Sequence, residues 1–377
     1  MKKKRLIRVF LQGLILLLLL ELSLRIIFYQ QVGREKLAVI ETAKNIRRRM
    51  NAPDLENVYQ HFLLARPDSG NTVNRQIAQE SFESNHFEYA PWTEYKNIDY
   101  VGKYINTHGL IRATMPDRVS GAHTTAEQTI YFFGGSTMYG VNIADRETIA
   151  SAFVDLYRDI FPKGVAIKVV NYGLSAHYSY NELMLLTHLI YSGQHPNITI
   201  MFDGLNDFLI PTASLRRLPY YYYRLRQASH DHINFKELES INDSTQTLFD
   251  DPPGYSIDLL VDTLVNSYLS NMEQIRKLAS VNDFSPFFFI QPNPFYHYSN
   301  QDHDPICEKR PAPLVTKAYT ILEKRAVDTG NCFFLGNMLL NEKGYPFIDR
   351  FHYSPGMCRK IAKELVMVVG KKINNMQ

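Results

Sequence analysis

The chain has 377 residues, 45% hydrophobic and 21% charged, which excludes a disordered or collagen-like protein and leaves length enough for a sizeable core. Its net charge of +3 is unevenly spread: 12 Lys and Arg against 3 Asp and Glu give the first 50 residues +9, so the rest carries −6. A slightly acidic body with positive charge gathered at one end is not a nucleic-acid footprint, and no nucleic-acid partner is expected.

Lys2, Lys3, Lys4, Arg5 and Arg8 precede an apolar stretch from Val9 to Tyr29 that includes the unbroken run from Leu14 to Leu20. About twenty such residues cross a bilayer core as a helix. Glu21 and Arg25 interrupt the stretch but lie four apart on one helix face, where they can pair or sit near an interface. No small-x-small cleavage site follows, so residues 1–30 read as a cytoplasmic basic stub and an uncleaved transmembrane signal anchor. The basic cluster before the span places the N-terminus in the cytoplasm and the bulk of the chain outside it.

Residues 31–100 read as a helical stalk or cover, with "REKLAVIETAKNIRRRM" and "DLENVYQHFLLA" as helices around Ala52-Pro53, followed by irregular chain from 67 to 100. Residues 101–377 form the main domain. Its apolar runs 129–133, 165–171, 198–202, 287–291 and, more weakly, 332–336 read as strands. Between them come helical patterns, such as Ile149, Phe153, Leu156 and Tyr157. This alternation predicts a parallel sheet covered on both faces.

A helical insert spans about 211–285, with a helix from about Ile257 to Leu278 and a Tyr-rich stretch, "LPYYYYRLRQ", open to either interfacial packing or substrate contact. Ser354 as N-cap and Pro355 at the first helical position predict the start of a last helix.

Four segments fall where a parallel sheet binds ligands, beyond the carboxyl ends of its strands. These are Gly134-Gly135-Ser136, Asn171-Tyr172-Gly173, the stretch from Asp203 to Asp207, and Asp349-Arg350-Phe351-His352 before the last helix. A Ser hydroxyl needs an imidazole to take its proton. His352 is the candidate base, and Asp349 three residues earlier can reach the distal ring nitrogen and fix its tautomer. The backbone amides of Ser136 and Gly173 and the side-chain amide of Asn206 are candidate donors for an oxyanion. Taken singly, each motif reads as a turn, a helix cap or a surface loop; their joint occurrence in this order favours nucleophilic catalysis.

In that order and context, "GGST", Gly173, "GLND" and "DRFH" resemble the four blocks of the SGNH hydrolases, the GDSL-type esterases and lipases, from about Ile130 to Tyr353. The resemblance implies a three-layer α/β/α flavodoxin-like fold. It also implies Ser136 as nucleophile, His352 as base, Asp349 as its orienter, and an oxyanion hole of Ser136, Gly173 and Asn206. The usual Gly-Asp-Ser is here Gly-Gly-Ser, resembling membrane-anchored or secreted bacterial members that act on O-acyl groups of envelope glycans.

The expectation is therefore a membrane-anchored serine esterase acting on O-acyl esters, O-acetyl among them, of an envelope carbohydrate or lipid, with its catalytic domain extracytoplasmic. An O-acyltransferase would share the first half-reaction, and a non-catalytic glycan-binding or assembly subunit would keep the fold without turnover. No cofactor or metal is implied: nucleotide-binding glycine motifs do not occur, and His108, His177 and His188 lack metal-ligand spacing. Cys307, Cys332 and Cys358 form no Cys-x-x-Cys pair, and one disulfide among them is open.

Overall fold

A computed structural model of the chain describes residues 71–115, 127–214, 256–309, 311–326 and 330–375. The expected signal anchor, the two stalk helices, the Tyr-rich stretch and the middle of the insert lie outside them. Among the described residues no helix is long and apolar enough to cross a membrane.

Part of the stretch expected to be irregular is ordered. Helix α1 (Asn71–Ser84) leads into a hairpin of β1 (Phe87–Ala90) and β2 (Glu94–Asn97), followed by β3 (Tyr100–Val101), β4 (Asn106–His108) and β5 (Ile111–Arg112). Apolar spacing misses α1 because much of what it buries is polar: Asn74, Glu80, Ser81 and Ser84, beside Ile77. The Glu80 carboxylate accepts the backbone N–H groups of Lys103, Tyr104 and Ile105 at 3.1, 2.7 and 2.9 Å, so polar bonds tie this helix to the strands after it.

The five expected strands form as β6 (Glu127–Gly134), β7 (Ala166–Asn171), β8 (Ile198–Asp203), β9 (Ser285–Ile290) and β10 (Cys332–Phe334). They pair in parallel in the order β10-β9-β8-β6-β7. The sheet is not wholly parallel, however. β5, β4 and β3 extend its edge antiparallel, β5 joining β7 through the single pair Arg112 and Asn171. These strands are two or three residues long, too short to show an alternating pattern.

Strand residues alternate between two cores. Ile130 and Phe132 of β6 belong to one, and Tyr131 and Phe133 to the other. The first face is covered by α3 (Ile149–Ile160) and α8 (Pro355–Leu365), and the second by α4 (Ser179–Tyr191), α5 (Leu205–Ser214), α6 (Ile257–Asn282) and α7 (Pro313–Ala326). A one-turn helix, α2 (Ser136–Tyr139), follows β6 directly. Thr148 caps α3 by accepting the Ser151 N–H, and Ser354 caps α8 by accepting the Met357 N–H with Pro355 next in line. The result is the expected three-layer α/β/α architecture with a mixed sheet.

Numbered by first appearance, the parallel strands run 2-1-3-4-5, the flavodoxin-like order, whose ligand crevice opens where the chain switches sides of the first strand. Here that point lies between β6 and β8, with Gly134 paired to Phe202 at the edge.

Candidate active site

Ser136 begins α2 immediately beyond that edge and is partly exposed, whereas Thr137, Met138 and Tyr139 are buried. As the first residue of a helix, its N–H has no acceptor within the helix. Gly135 before it allows a close approach: a Cβ there would stand 2.2 Å from Asn206 Nδ2 and 3.1 Å from the His177 carbonyl. Asn206 in the first turn of α5 donates one amide hydrogen to that carbonyl at 2.7 Å, which leaves its second hydrogen for another acceptor.

Gly173 does not present a free donor as expected. Its only N–H is given to Asn171 Oδ1 at 2.9 Å, in the local turn that Asn favours. What its lack of a side chain permits is packing, since a Cβ would stand 2.4 Å from the Tyr139 nitrogen. Asn171 completes this contact by donating its amide to the Met138 carbonyl at 3.0 Å.

Asp349 and His352 meet as a pair in the loop before α8. His352 Nδ1 lies 2.6 Å from Asp349 Oδ2, while Asp349 Oδ1 accepts the N–H groups of Phe351 and His352, both at 2.9 Å. Burial would raise the Asp349 carboxyl, but the His352 charge and these hydrogen bonds outweigh it and hold the group below its ordinary range. With Nδ1 donating to the carboxylate, Nε2 is the ring nitrogen able to accept a proton. Both side chains are part-exposed, so the pair can meet a substrate.

Two residues outside the expected catalytic set join the segments. Asn142, in a left-handed conformation at φ 65°, donates its side-chain amide to Asp349 Oδ2 at 2.6 Å. It thus ties the loop after α2 to the base's carboxylate. Gln291, at the end of β9, accepts the Thr137 hydroxyl at 2.7 Å and the Tyr353 hydroxyl at 3.5 Å. Neighbours of Ser136 and His352 therefore share one side chain. The Asn142 conformation offers a partial sequence signal, since Asn tolerates the left-handed region better than most residues; Gln291 opens "QPNPF" (291–295), whose two prolines mark a rigid loop beside the site but not the hydrogen bonds of this side chain.

The three histidines that lack metal-ligand spacing make ring and ion-pair contacts of their own. His177 is fully buried, and burial pushes its imidazole down to about 3, leaving it neutral against Tyr95 with ring centroids 5.3 Å apart. His188 stacks on Trp92 at 5.6 Å, and exposed His108 sits 3.2 Å from Asp99. Among the described residues no cluster of His, Cys, Asp or Glu is arranged to hold a metal ion, and no disulfide joins Cys307, Cys332 and Cys358.

Behind Asn206 lies a group of buried acids: Asp203 at the end of β8, Asp207 in α5 and Glu182 in α4. Burial raises the carboxyls of Glu182 and Asp203 well above their ordinary range, reinforced by Asp203 on Glu182 and by Asp207 on Asp203. Asp207 is pushed up to about 6 by burial, its Oδ1 accepting the Ser179 N–H at 3.2 Å and the Ser179 hydroxyl at 2.5 Å.

Compared with known families, residues 130–365 match the model of GDSL-like lipase/acylhydrolase, over half of the chain. No curated protein matches. Among solved structures, the acetyl xylan esterase AlAXEase aligns at 12% identity over 64% of this chain and 99% of that one, with a TM-score of 0.39. Axe2, an acetylxylan esterase from Geobacillus stearothermophilus, aligns at 13% identity over 66% of this chain and 94% of that one, with a TM-score of 0.39.

Proposed function

We infer the function from the premise that the chain belongs to the GDSL-like lipase/acylhydrolase family and is a serine hydrolase. It is a membrane-anchored esterase that removes O-acyl groups, acetyl among them, from an envelope carbohydrate or lipid outside the cytoplasm. The observation that carries the chemistry is the Asp349–His352 pair, 2.6 Å apart, in the loop that Asn142 bonds to the segment following Ser136.

In this reading, His352 Nε2 takes the Ser136 hydroxyl proton as the oxygen attacks the ester carbonyl. Asp349 keeps the ring in the tautomer that can accept it and stabilises the imidazolium. The negative oxygen of the tetrahedral intermediate receives the Ser136 N–H and the second Asn206 amide hydrogen, each such donor being worth about 2.7–4 kcal/mol of barrier lowering. Collapse passes the proton from His352 to the departing alkoxide and leaves an acyl group on Ser136. Water, deprotonated by the same imidazole, then releases the acid.

Support for the anchor and the orientation comes from the basic cluster Lys2 to Arg8 ahead of the apolar stretch Val9 to Tyr29. The test is hydrolysis of a chromogenic short-chain ester by the full-length chain. Turnover that disappears in Ser136→Ala supports the reading, and equal turnover in both removes Ser136 from the mechanism. A reporter fused after Gln377 is expected to be active only outside the cytoplasm.

A further inference from the structure

The His177 carbonyl accepts the Asn206 amide at 2.7 Å and would stand 3.1 Å from a Cβ on Gly135, so its place sets where the second oxyanion donor stands beside Ser136. That carbonyl ends a turn of residues 174–177, closed by the His177 N–H on the Leu174 carbonyl at 3.0 Å. The Leu174 N–H in turn donates to the Gly134 carbonyl at 3.0 Å, which joins the turn to the end of β6. Its third residue, Ala176, has φ 64°, a left-handed conformation that costs a residue with a Cβ and that turns fill with Gly or Asn. Such a conformation persists only where the surroundings over-determine it.

Tyr95 of β2 touches this turn on both sides of Ala176. Its hydroxyl donates to the Ser175 carbonyl at 2.6 Å, and its ring meets the His177 imidazole with centroids 5.3 Å apart and planes at 65°. Tyr95 is 2% exposed and His177 is fully buried, so water does not compete for either contact. Without the hydroxyl, the peptide between Ser175 and Ala176 is free to flip. The flip returns Ala176 to negative φ and releases the turn from the shape that aims the His177 carbonyl at Asn206.

Tyr95 itself is firmly held. It lies eighty residues before Ser175, ahead of the residues that match the family, yet its segment reaches the site at three further points. Asn85 Oδ1 accepts the Ser175 hydroxyl at 3.0 Å, Ser84 Oγ accepts the Tyr139 hydroxyl at 3.3 Å, and Ser81 Oγ accepts the Asn142 N–H at 2.9 Å. The segment from α1 to β2 thus braces the turn before Asn206 and the loop after Ser136 together.

We propose that Tyr95 is a positioning residue for the oxyanion hole, its hydroxyl and ring together fixing the turn whose last carbonyl holds Asn206 against Gly135. The inference rests on the esterase reading above and adds to it a residue that acts through Asn206 without touching substrate.

The test is steady-state hydrolysis of a chromogenic short-chain ester by the full-length chain, with active sites counted by a fluorophosphonate so that lower activity per site is told apart from fewer folded molecules. Tyr95→Phe is expected to lower kcat about tenfold with KM changed less than about twofold, a smaller loss than that of a whole donor because the amide is displaced and not removed. In an Asn206→Ala background the same change should alter kcat by less than about twofold, since the group it positions is already gone. Tyr157→Phe is the control for a purely structural hydroxyl: it removes a donor to the Val165 carbonyl at 3.1 Å, next to the amino end of β7 and away from the site, and should lower the melting temperature while leaving kcat unchanged. The positioning role is overturned if Tyr95→Phe keeps the parental kcat, if its loss is the same with and without Asn206, or if Tyr157→Phe loses as much. Ser136→Ala is run in parallel. Its loss of turnover leaves the esterase reading standing, so that failure of the Tyr95 variants then overturns the positioning role alone.

Discussion

The side-chain amide of Asn142 donates to the Asp349 oxygen that also faces His352 Nδ1, each contact being 2.6 Å. Three groups thus meet at one atom, and the amide helps to fix the direction from which the carboxylate approaches the ring. Asn142→Gly preserves the left-handed backbone and removes the amide; kcat/KM is expected to fall about tenfold, the equivalent of about 1.4 kcal/mol, with KM little changed. Asn142→Asp instead places a second negative charge beside the first. That charge favours the imidazolium, so the acid limb of the kcat/KM profile moves to higher pH. A purely structural role for Asn142 would leave that limb in place.

Gly135 and Asn206 form a second coupled pair. A methyl group at 135 would collide with Asn206 Nδ2, so Gly135→Ala is expected to displace the amide that serves the oxyanion. Losing one such donor costs about 10²- to 10³-fold in kcat. Asn206→Ala should cost a similar amount, and the double variant little more than either single one, because both changes remove the same interaction. Steady-state kinetics on a short-chain ester measure all three. Fully multiplicative losses would show that Gly135 acts by another route.

The loop carrying Asn142 is held from behind by a buried ion pair. Arg112 Nε lies 2.6 Å from Asp145 Oδ1, the side chains being 0% and 4% exposed, and the guanidinium also donates to the Ile143 carbonyl at 2.9 Å. Removing one charge strands the other, at a cost of about 3–5 kcal/mol. Arg112→Met should therefore lower the melting temperature by several degrees. Arg112→Met combined with Asp145→Leu should recover part of that loss, as thermal unfolding followed by circular dichroism would show.

How much of this the sequence discloses follows from the kind of force that fixes each part. The five parallel strands are legible because burial on both faces requires continuous apolar runs such as Phe287 to Ile290. The ends of α3 and α8 are legible because capping is a local rule obeyed by Thr148 and Ser354. Asp349 and His352 lie three residues apart, so their pairing is also nearly local. Helix α1 and strands β3 to β5 are not, since a carboxylate accepting three amides from residues over twenty positions away leaves no periodic trace. The same holds for Gln291, whose partner Thr137 is 154 residues distant. Gly173 shows the converse failure: the residue is where the motif requires, but whether its N–H is free depends on Asn171, which the motif does not specify.

The buried acids beside Asn206 give the protein a pH dependence whose sign can be worked out. Glu182, Asp203 and Asp207 all have carboxyls raised by burial, so each binds its proton more tightly in the folded chain than in the unfolded one. Above about pH 4 the unfolded chain carries fewer of these protons, and stability declines as pH rises. For Asp207 the decline ends near its folded value of about 6; for Glu182 and Asp203 it extends higher. Asp349 acts oppositely, because its lowered carboxyl contributes stability above about pH 4 that is lost as pH falls through the folded value. Glu182→Gln keeps the shape of the side chain, removes one titrating acid and gives ionised Asp203 a donor. Its melting temperature should match the parent's near pH 5 and exceed it by about 3 °C at pH 8, a gap corresponding to about 1 kcal/mol. Scanning both proteins from pH 5 to 9 decides the matter: parallel curves would mean that Glu182 does not exchange its proton over this range, and a variant that loses ground at pH 8 would mean that the native carboxyl is stabilised by a charge partner rather than penalised by burial.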